Sequence, residues 1–112
     1  MSILDAAKGG NLDEVERLVQ EGADIEEEDS DGRTPLKLAA RSGHYAVVEF
    51  LVQQGADKEA SSRYGSTPLH YATFNGHLAV VQYLIQQGAD KEAGDSDGST
   101  PLHCAAIVGH LN

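Results

Sequence analysis

Histidine is the side chain best suited to metal or proton chemistry in this sequence, and the 112-residue chain has five. They form two series, one of His44, His77 and His110 and one of His70 and His103. Members of a series are 33 positions apart, so they occupy equivalent places in neighbouring structural units. Packed helices lie about 8–10 Å apart, whereas two zinc ligands must each come within about 2.1 Å of the ion. We therefore predict no metal site among the histidines.

The carboxylates indicate no metal or catalytic site either. Asp29 with Asp31, and Asp95 with Asp97, are spaced like the first ligands of a calcium loop. Such a loop also needs glycine at its sixth position and glutamate at its twelfth, and here both pairs are followed by threonine and alanine at those places. The sequence has no Gly-x-Ser-x-Gly elbow, phosphate-binding loop or Cys/His nucleophile pair. We predict that the protein is not an enzyme and binds no metal or cofactor.

The elements that position these side chains repeat with the same period. Thr-Pro-Leu-x-x-Ala begins at positions 34, 67 and 100, and Gly-Ala-Asp begins at 22, 55 and 88. A fixed period of this size indicates stacked units rather than one globular core. In each unit the threonine is a helix N-cap, and proline follows at the first helical position. Glycine then ends the first helix, and a second helix follows with apolar residues at helical spacing, such as Val48, Leu51 and Val52.

Taken together, these motifs resemble the ankyrin repeat over essentially the whole chain. The resemblance implies an all-α fold, an ankyrin-repeat solenoid of stacked antiparallel helix pairs with projecting β-hairpin loops. We expect one domain, 1–112. It would consist of an N-terminal capping-type repeat (1–28), two full repeats (29–61 and 62–94) and a partial repeat (95–112).

The resemblance also implies a structural role for the histidine in Thr-Pro-Leu-His. In ankyrin repeats this histidine bonds to the backbone and ties repeats together, and His70 and His103 occupy its place. Lys37 stands there in the first full repeat. We expect a weaker tie at that point.

The last unit has no second helix in this sequence, because only Leu111 and Asn112 follow Gly109 and His110. We expect the chain to be a fragment, or an engineered piece, of a longer array. The outer face left without a partner would expose apolar side chains, and such faces self-associate. A homodimer through the C-terminal end is therefore expected.

The charge balance limits the partners. The formal net charge is −10, from 18 acidic and 8 basic residues, which disfavours nucleic acid because few cations are present to neutralise phosphates. It favours a protein partner that is basic. Acid is concentrated at 26–29 and Asp31. Two interpretations of that segment stay open, a solvated loop that keeps the stack monomeric and a landing site for a Lys/Arg-rich partner.

The cysteine count and the lengths of the apolar runs predict the cellular compartment. No apolar run approaches the length of a membrane span, so we predict no membrane association. The single cysteine, Cys104, excludes a disulfide within the chain. We predict a cytoplasmic or other reducing intracellular location.

The resemblance supplies candidate binding positions. In ankyrin proteins, partners contact the hairpin tips and the exposed ends of the first helices, which line the concave side. Here these positions, including Lys8, differ between copies while the framework repeats, as expected for a shared scaffold with a variable surface. The predicted partner-binding residues are Arg33, Arg41, Ser42, Arg63, Tyr64, Ser66, Phe74, Asn75, Asp97, Ile107 and Val108.

Phe74 and Tyr64 are the aromatic candidates for energetic anchors of an interface. The alternative for Phe74 is that its ring folds over Tyr71 or the next helix. Two functions follow from the sequence. The first is a non-catalytic protein–protein interaction module that binds a partner through the concave groove and hairpin tips. The alternative is an engineered or excised repeat fragment with no ligand of its own, self-associating through its incomplete C-terminal repeat.

Overall fold

The computed structural model describes residues 2–60, 62, 63 and 65–89. Over these residues the chain forms six α-helices in three consecutive pairs, each pair joined by a short connection that turns the chain back. The helices are α1 (Ile3–Lys8), α2 (Leu12–Gln20), α3 (Pro35–Ser42), α4 (Tyr45–Gln53), α5 (Pro68–Phe74) and α6 (Leu78–Gln86). The first helices α1, α3 and α5 pack side by side in one layer, and α2, α4 and α6 pack in a second. The predicted all-α solenoid is confirmed.

Local chemistry sets where the first helices begin and end. The Thr34 and Thr67 hydroxyls accept hydrogen bonds from the backbone N–H three residues on, and a proline follows each at the first helical position. Gly43 ends α3 in the left-handed conformation, with φ of 78°. The predicted caps are therefore confirmed in both helices.

The core lies between the two layers and between neighbouring pairs. Alanines fill the tight contact between first helices, since Ala39, Ala40 and Ala72 are completely buried. The second helices contribute larger side chains, among which Val48 and Leu51 are also completely buried. The helical face predicted from the sequence is the one that packs inward.

The two loops ahead of α3 and α5 differ from the expected β-hairpins. Each is a five-residue turn in which the N–H of the first residue donates to the carbonyl of the fifth, Asp29 to Arg33 at 3.0 Å and Ser62 to Ser66 at 2.8 Å. The carbonyl of the first residue also accepts, from Gly32 N–H at 3.0 Å and from Gly65 N–H at 2.9 Å. These bonds close a turn without continuing into a ladder, so the described residues contain no strand here. Neighbouring loops are joined by a 2.8 Å bond from Arg63 N–H to the Asp31 carbonyl.

Lys37 is the most unusual member of the core, because a lysine is rarely buried without a paired charge. Its side chain is 0% exposed, and its ammonium donates to the Gly32 carbonyl at 2.7 Å. At the equivalent place His70 Nδ1 accepts from Thr67 N–H at 3.0 Å, which completes a capping box. Lysine has no acceptor, so the reciprocal bond cannot form at Thr34. Lys37 donates instead to the loop of its own unit, and the weaker tie between repeats at this point stays a prediction.

Burial also changes the titration of Lys37. Removing the ammonium from water lowers the pKa of Lys37 below its usual value, an effect that the Glu28 and Glu26 carboxylates oppose. In the pH range between this lowered pKa and the ordinary value of about 10.4, the unfolded chain binds more protons than the folded one. The contribution of Lys37 to stability therefore rises with pH through that range.

We expect Lys37→His to raise the free energy of unfolding by about 1 kcal/mol at pH 7, because it restores a capping-box hydrogen bond and removes a buried charge. The advantage should shrink as pH rises toward about 10, where the wild-type protein loses the cost of the buried ammonium. Urea unfolding at several pH values measures both effects. Lys58→His serves as the control for loss of one lysine. A variant less stable than wild type at pH 7 would mean that the bond to Gly32 outweighs the cost of burial.

No helix among the described residues is long and apolar enough to cross a membrane.

Candidate functional site

The ends of the first helices enclose a cleft of about 550 Å³. It is lined by residues from all three helix pairs, namely Lys8, Leu38, Arg41, Ser42, Asn75 and His77. Three of the predicted partner-binding residues, Arg41, Ser42 and Asn75, lie together here although more than 30 residues separate the first from the last. Leu38 is almost fully buried, whereas Lys8, Arg41 and Ser42 are exposed. The cleft therefore offers cations, a hydroxyl and an amide around a small apolar floor.

Histidines hold the helices of this cleft together. The His44 Nε2 lies 3.0 Å from the Lys8 carbonyl, and the His77 Nε2 lies 2.9 Å from the Arg41 carbonyl. A carbonyl only accepts, so each ring donates. The Asn75 amide donates to the same Arg41 carbonyl at 3.1 Å. These bonds satisfy carbonyls at helix C-termini that lack partners within the helix.

His77 and Leu38 line the cleft, but neither was predicted from the sequence as a site residue. The tie between repeats was predicted at the Thr-Pro-Leu-His histidines and stays a prediction, since the capping-box bond of His70 lies within its own unit. His44 and His77 make further bonds between neighbouring pairs. The signal for them was in the sequence, since each follows a glycine and the two are 33 residues apart.

A glycine of the preceding helix pair allows each of these histidines to approach closely. A Cβ atom on Gly43 would lie 2.4 Å from His77 Nδ1, and one on Gly10 would lie 2.5 Å from His44 Nδ1. Both glycines have positive φ, 78° and 74°. The histidine ring of one pair therefore packs directly over the glycine of the pair before it.

Arg33, a predicted binding residue, is bonded within its own loop. Its guanidinium contacts the Asp29 carboxylate at 3.0 Å and the Asp31 carboxylate at 2.8 Å. Asp29 also accepts from the backbone N–H groups of Asp31 and Arg33 at 2.9 Å. Partial burial acts to raise the pKa of Asp29, but these backbone bonds and the Arg33 charge lower it overall. Asp29 thus stabilises the loop as a carboxylate.

These contacts bear on the acidic segment before α3. The Asp29 and Asp31 carboxylates are both taken by Arg33, and the Glu26 carboxylate accepts from Asp57 N–H at 2.8 Å. Glu27 and Glu28 are exposed. Three of the five acidic side chains of the segment therefore bond within the protein. This favours a structural loop over a binding site for a Lys/Arg-rich partner.

Two other predicted binding residues, Arg63 and Ser66, lie in the loop before α5. Arg63 has an exposed side chain, and Ser66 is half-buried with its carbonyl closing the turn to Ser62. The remaining predicted binding residues fall outside the described part of the chain, namely Tyr64, Asp97, Ile107 and Val108.

Phe74 is the most exposed large apolar side chain of the described residues, at 60%. It is the last residue of α5 and directly precedes Asn75 of the cleft. The adjacent Thr73, at the usual place of alanine, is buried and donates from its hydroxyl to the Leu69 carbonyl at 2.9 Å. This exposure favours an interface anchor over a ring folded onto Tyr71.

Within the described ranges, no three His, Cys, Asp or Glu side chains come together in a way that could hold an ion. The predictions of no metal, no cofactor and no catalysis stay predictions for the chain as a whole.

The helix pairs, their order and the loops between them define a repeat protein. A family described as ankyrin repeats (3 copies) matches residues 3–62 and again residues 58–112. The chain belongs to the ankyrin repeat family. Ankyrin repeats are generally protein–protein interaction modules and are typically non-catalytic. No curated protein matches the chain closely enough to count as a relative.

Proposed function

We propose that this chain is a non-catalytic interaction module that binds one protein partner across the ends of its first helices and the adjoining loops. The observation that carries the proposal is the 60% exposed ring of Phe74 next to the cleft. Large aromatic side chains at the centre of a surface are the usual anchors of interfaces. A single exposed apolar side chain is common on protein surfaces, so it is the position of this ring beside the cleft that supports the proposal.

The contrast between framework and surface supports the same proposal. Buried positions repeat between units, such as Ala39 with Ala72 and Leu51 with Leu84. The exposed helix ends do not repeat, since Lys8, Arg41 and Phe74 occupy equivalent places. A scaffold with different side chains at equivalent exposed positions presents a different surface in each unit. Such a surface suits the recognition of one particular partner.

The cellular compartment, the charge of the partner, the division into repeats and the alternative function are also proposals. A reducing intracellular location is supported by the single cysteine of the sequence, and a basic partner by the net charge of −10. The four-unit division of the chain is supported by the period of 33. The alternative function, a self-associating repeat fragment, and the homodimer it implies depend on residues 95–112, which lie outside the described residues.

Phe74→Ala tests the proposed function. We expect binding to a captured partner to weaken by about 1–3 kcal/mol, the range of interface hot spots. The free energy of unfolding should fall by less than about 1 kcal/mol, as for most surface changes. Leu78→Ala is the matched control, because Leu78 is 43% exposed but begins the second helix α6. Affinity capture with the three proteins, followed by titration of any partner retained, gives the comparison.

Two outcomes would overturn this proposal. One is a partner that binds Phe74→Ala as tightly as wild type and loses affinity with Leu78→Ala. The other is a large loss of stability with Phe74→Ala, which would place the ring among the groups that hold the fold together.

A further inference from the structure

The chemistry of the partner follows from the side chains at the ends of the first helices. Lys8, Arg41 and Phe74 occupy equivalent positions, 33 residues apart, in the last turns of α1, α3 and α5. These three helices are neighbours in one layer. The order along the layer is therefore cation, cation, aromatic ring. We call this row the helix-end row.

The two cations of the helix-end row are free of carboxylates in the described structure. Arg17 is held by Glu14 and Glu21, and Arg33 is held by Asp29 and Asp31. Over the same described ranges, neither Lys8 nor Arg41 makes an ion pair. In a protein with 18 acidic and 8 basic residues, internal partners are plentiful. Lys8 and Arg41 are exposed and line the same cleft.

The nearest acidic side chain on the same helix is directed to other contacts. Asp5 lies one turn before Lys8, and its carboxylate accepts from the Ser2 hydroxyl at 3.1 Å. The carbonyls at the helix ends, which carry partial negative charge, are occupied as well. Lys8 O is bonded by His44, and Arg41 O by His77 and Asn75. In the described structure the Asp5 carboxylate and these carbonyls are therefore already bonded, and neither cation of the row is paired with a carboxylate.

The spacing of the row sets the spacing of a complementary ligand. Packed helices lie about 8–10 Å apart. An extended segment in the polyproline II conformation advances about 3.1 Å per residue with three residues per turn, so every third side chain lies on the same face, about 9 Å from the one before. Groups that meet successive helix ends are then three residues apart in such a segment. Two carboxylates would meet Lys8 and Arg41, and an apolar side chain would meet Phe74.

We propose that the helix-end row binds an extended acidic peptide segment in the polyproline II conformation, with two Asp or Glu side chains three residues apart and an apolar residue three positions further on, toward Phe74. This inference rests on the proposed function and names the partner chemistry of that same surface. It assigns the acidic segment at 26–31 to the loop structure and the recognition to the cations. At this surface an acidic segment therefore takes the place of the basic partner that the net charge of −10 favours. Charge complementarity selects such a partner in spite of the negative net charge, because close charges dominate over distant screened ones.

Selection from a random 12-residue peptide display library tests the proposal. The intact chain is the bait, and selected peptides are then titrated by fluorescence anisotropy. We expect the enriched peptides to share the acidic spacing and the apolar residue. Lys8→Gln and Arg41→Gln should each weaken binding by about 3- to 10-fold. Arg17→Gln, with the same change of charge on the second helix α2, should change binding by less than about 2-fold.

A reciprocal exchange makes the test specific. Arg41→Glu should lose the selected peptide and bind a version in which one acidic residue is replaced by lysine. Affinity for the original peptide should fall with added salt. Equal competition by a single-stranded oligonucleotide would show general attraction of anions and overturn the proposal.

The outcomes also separate this inference from the proposed function. Peptides without acidic residues that still require Phe74 would overturn the inference and leave the proposed function standing. Acidic peptides that bind Lys8→Gln and Arg41→Gln as tightly as wild type would also overturn the inference. The role of these cations would then be to stabilise the helix C-termini. Failure to enrich any peptide that depends on Phe74, Lys8 or Arg41 would overturn both.

Discussion

Gly43→Ala should lower the free energy of unfolding by about 2–5 kcal/mol, the sum of left-handed backbone strain and overpacking. The backbone at Gly43 has φ of 78°, which costs a residue with a Cβ atom. The new methyl group would also lie 2.4 Å from the His77 ring. His77 is bonded to the Arg41 carbonyl, so the ring cannot move away without losing that contact. Urea unfolding followed by circular dichroism measures the loss.

Gly55→Ala provides the matched control for Gly43→Ala. Gly55 has φ of 89°, and a Cβ atom there would meet nothing within 4 Å. The loss should therefore be the backbone strain alone, about 1–2 kcal/mol. His77→Ala combined with Gly43→Ala should recover part of the difference, as a double-mutant cycle would register. Equal losses at Gly43 and Gly55 would show that contact with His77 contributes nothing.

Leu51→Ala should cost about 2–5 kcal/mol of the free energy of unfolding, the usual range for a large-to-small change in a core. Leu51 is completely buried in α4, in the middle of the three described pairs. Its removal leaves a cavity bordered by helices on both sides, since α4 packs against α2 and α6. Both thermal and urea unfolding should report the change.

Leu18→Ala tests whether the position in the stack determines the cost. Leu18 is the equivalent residue in α2, 33 positions earlier, but it is only half-buried. We expect a loss of about 1–2 kcal/mol there, because fewer contacts are removed. A loss at Leu18 as large as that at Leu51 would mean that the first pair is packed as tightly as the second.

The proposed binding surface is distinct from the side chains that hold the fold together. Leu51 and its neighbours hold the layers together, while Lys8, Arg41 and Phe74 contribute little to that packing. Changes at the helix-end row should therefore alter binding with small effects on stability. The two kinds of measurement can be made on the same set of variants.

The sequence by itself determined the helices and their order. Thr34, Pro35 and Gly43 act on backbone groups within four residues, so their effects can be read from local spacing. The period of 33 and the alternation of short and longer apolar helices were sufficient to predict a stacked all-α fold. The inward face of Val48 and Leu51 followed from helical periodicity.

The tertiary structure alone decided what depends on residues from different units. The contact of His77 with Arg41 and the cleft shared by Lys8, Arg41 and Asn75 are of this kind. Stacking brings together side chains about 33 residues apart, at distances that small rotations between units determine. Local propensities act over a few residues and carry no information on such distances. The sequence therefore specified the framework, and only the packing of one pair on the next placed Lys8 and Arg41 together in one cleft with Phe74 beside it.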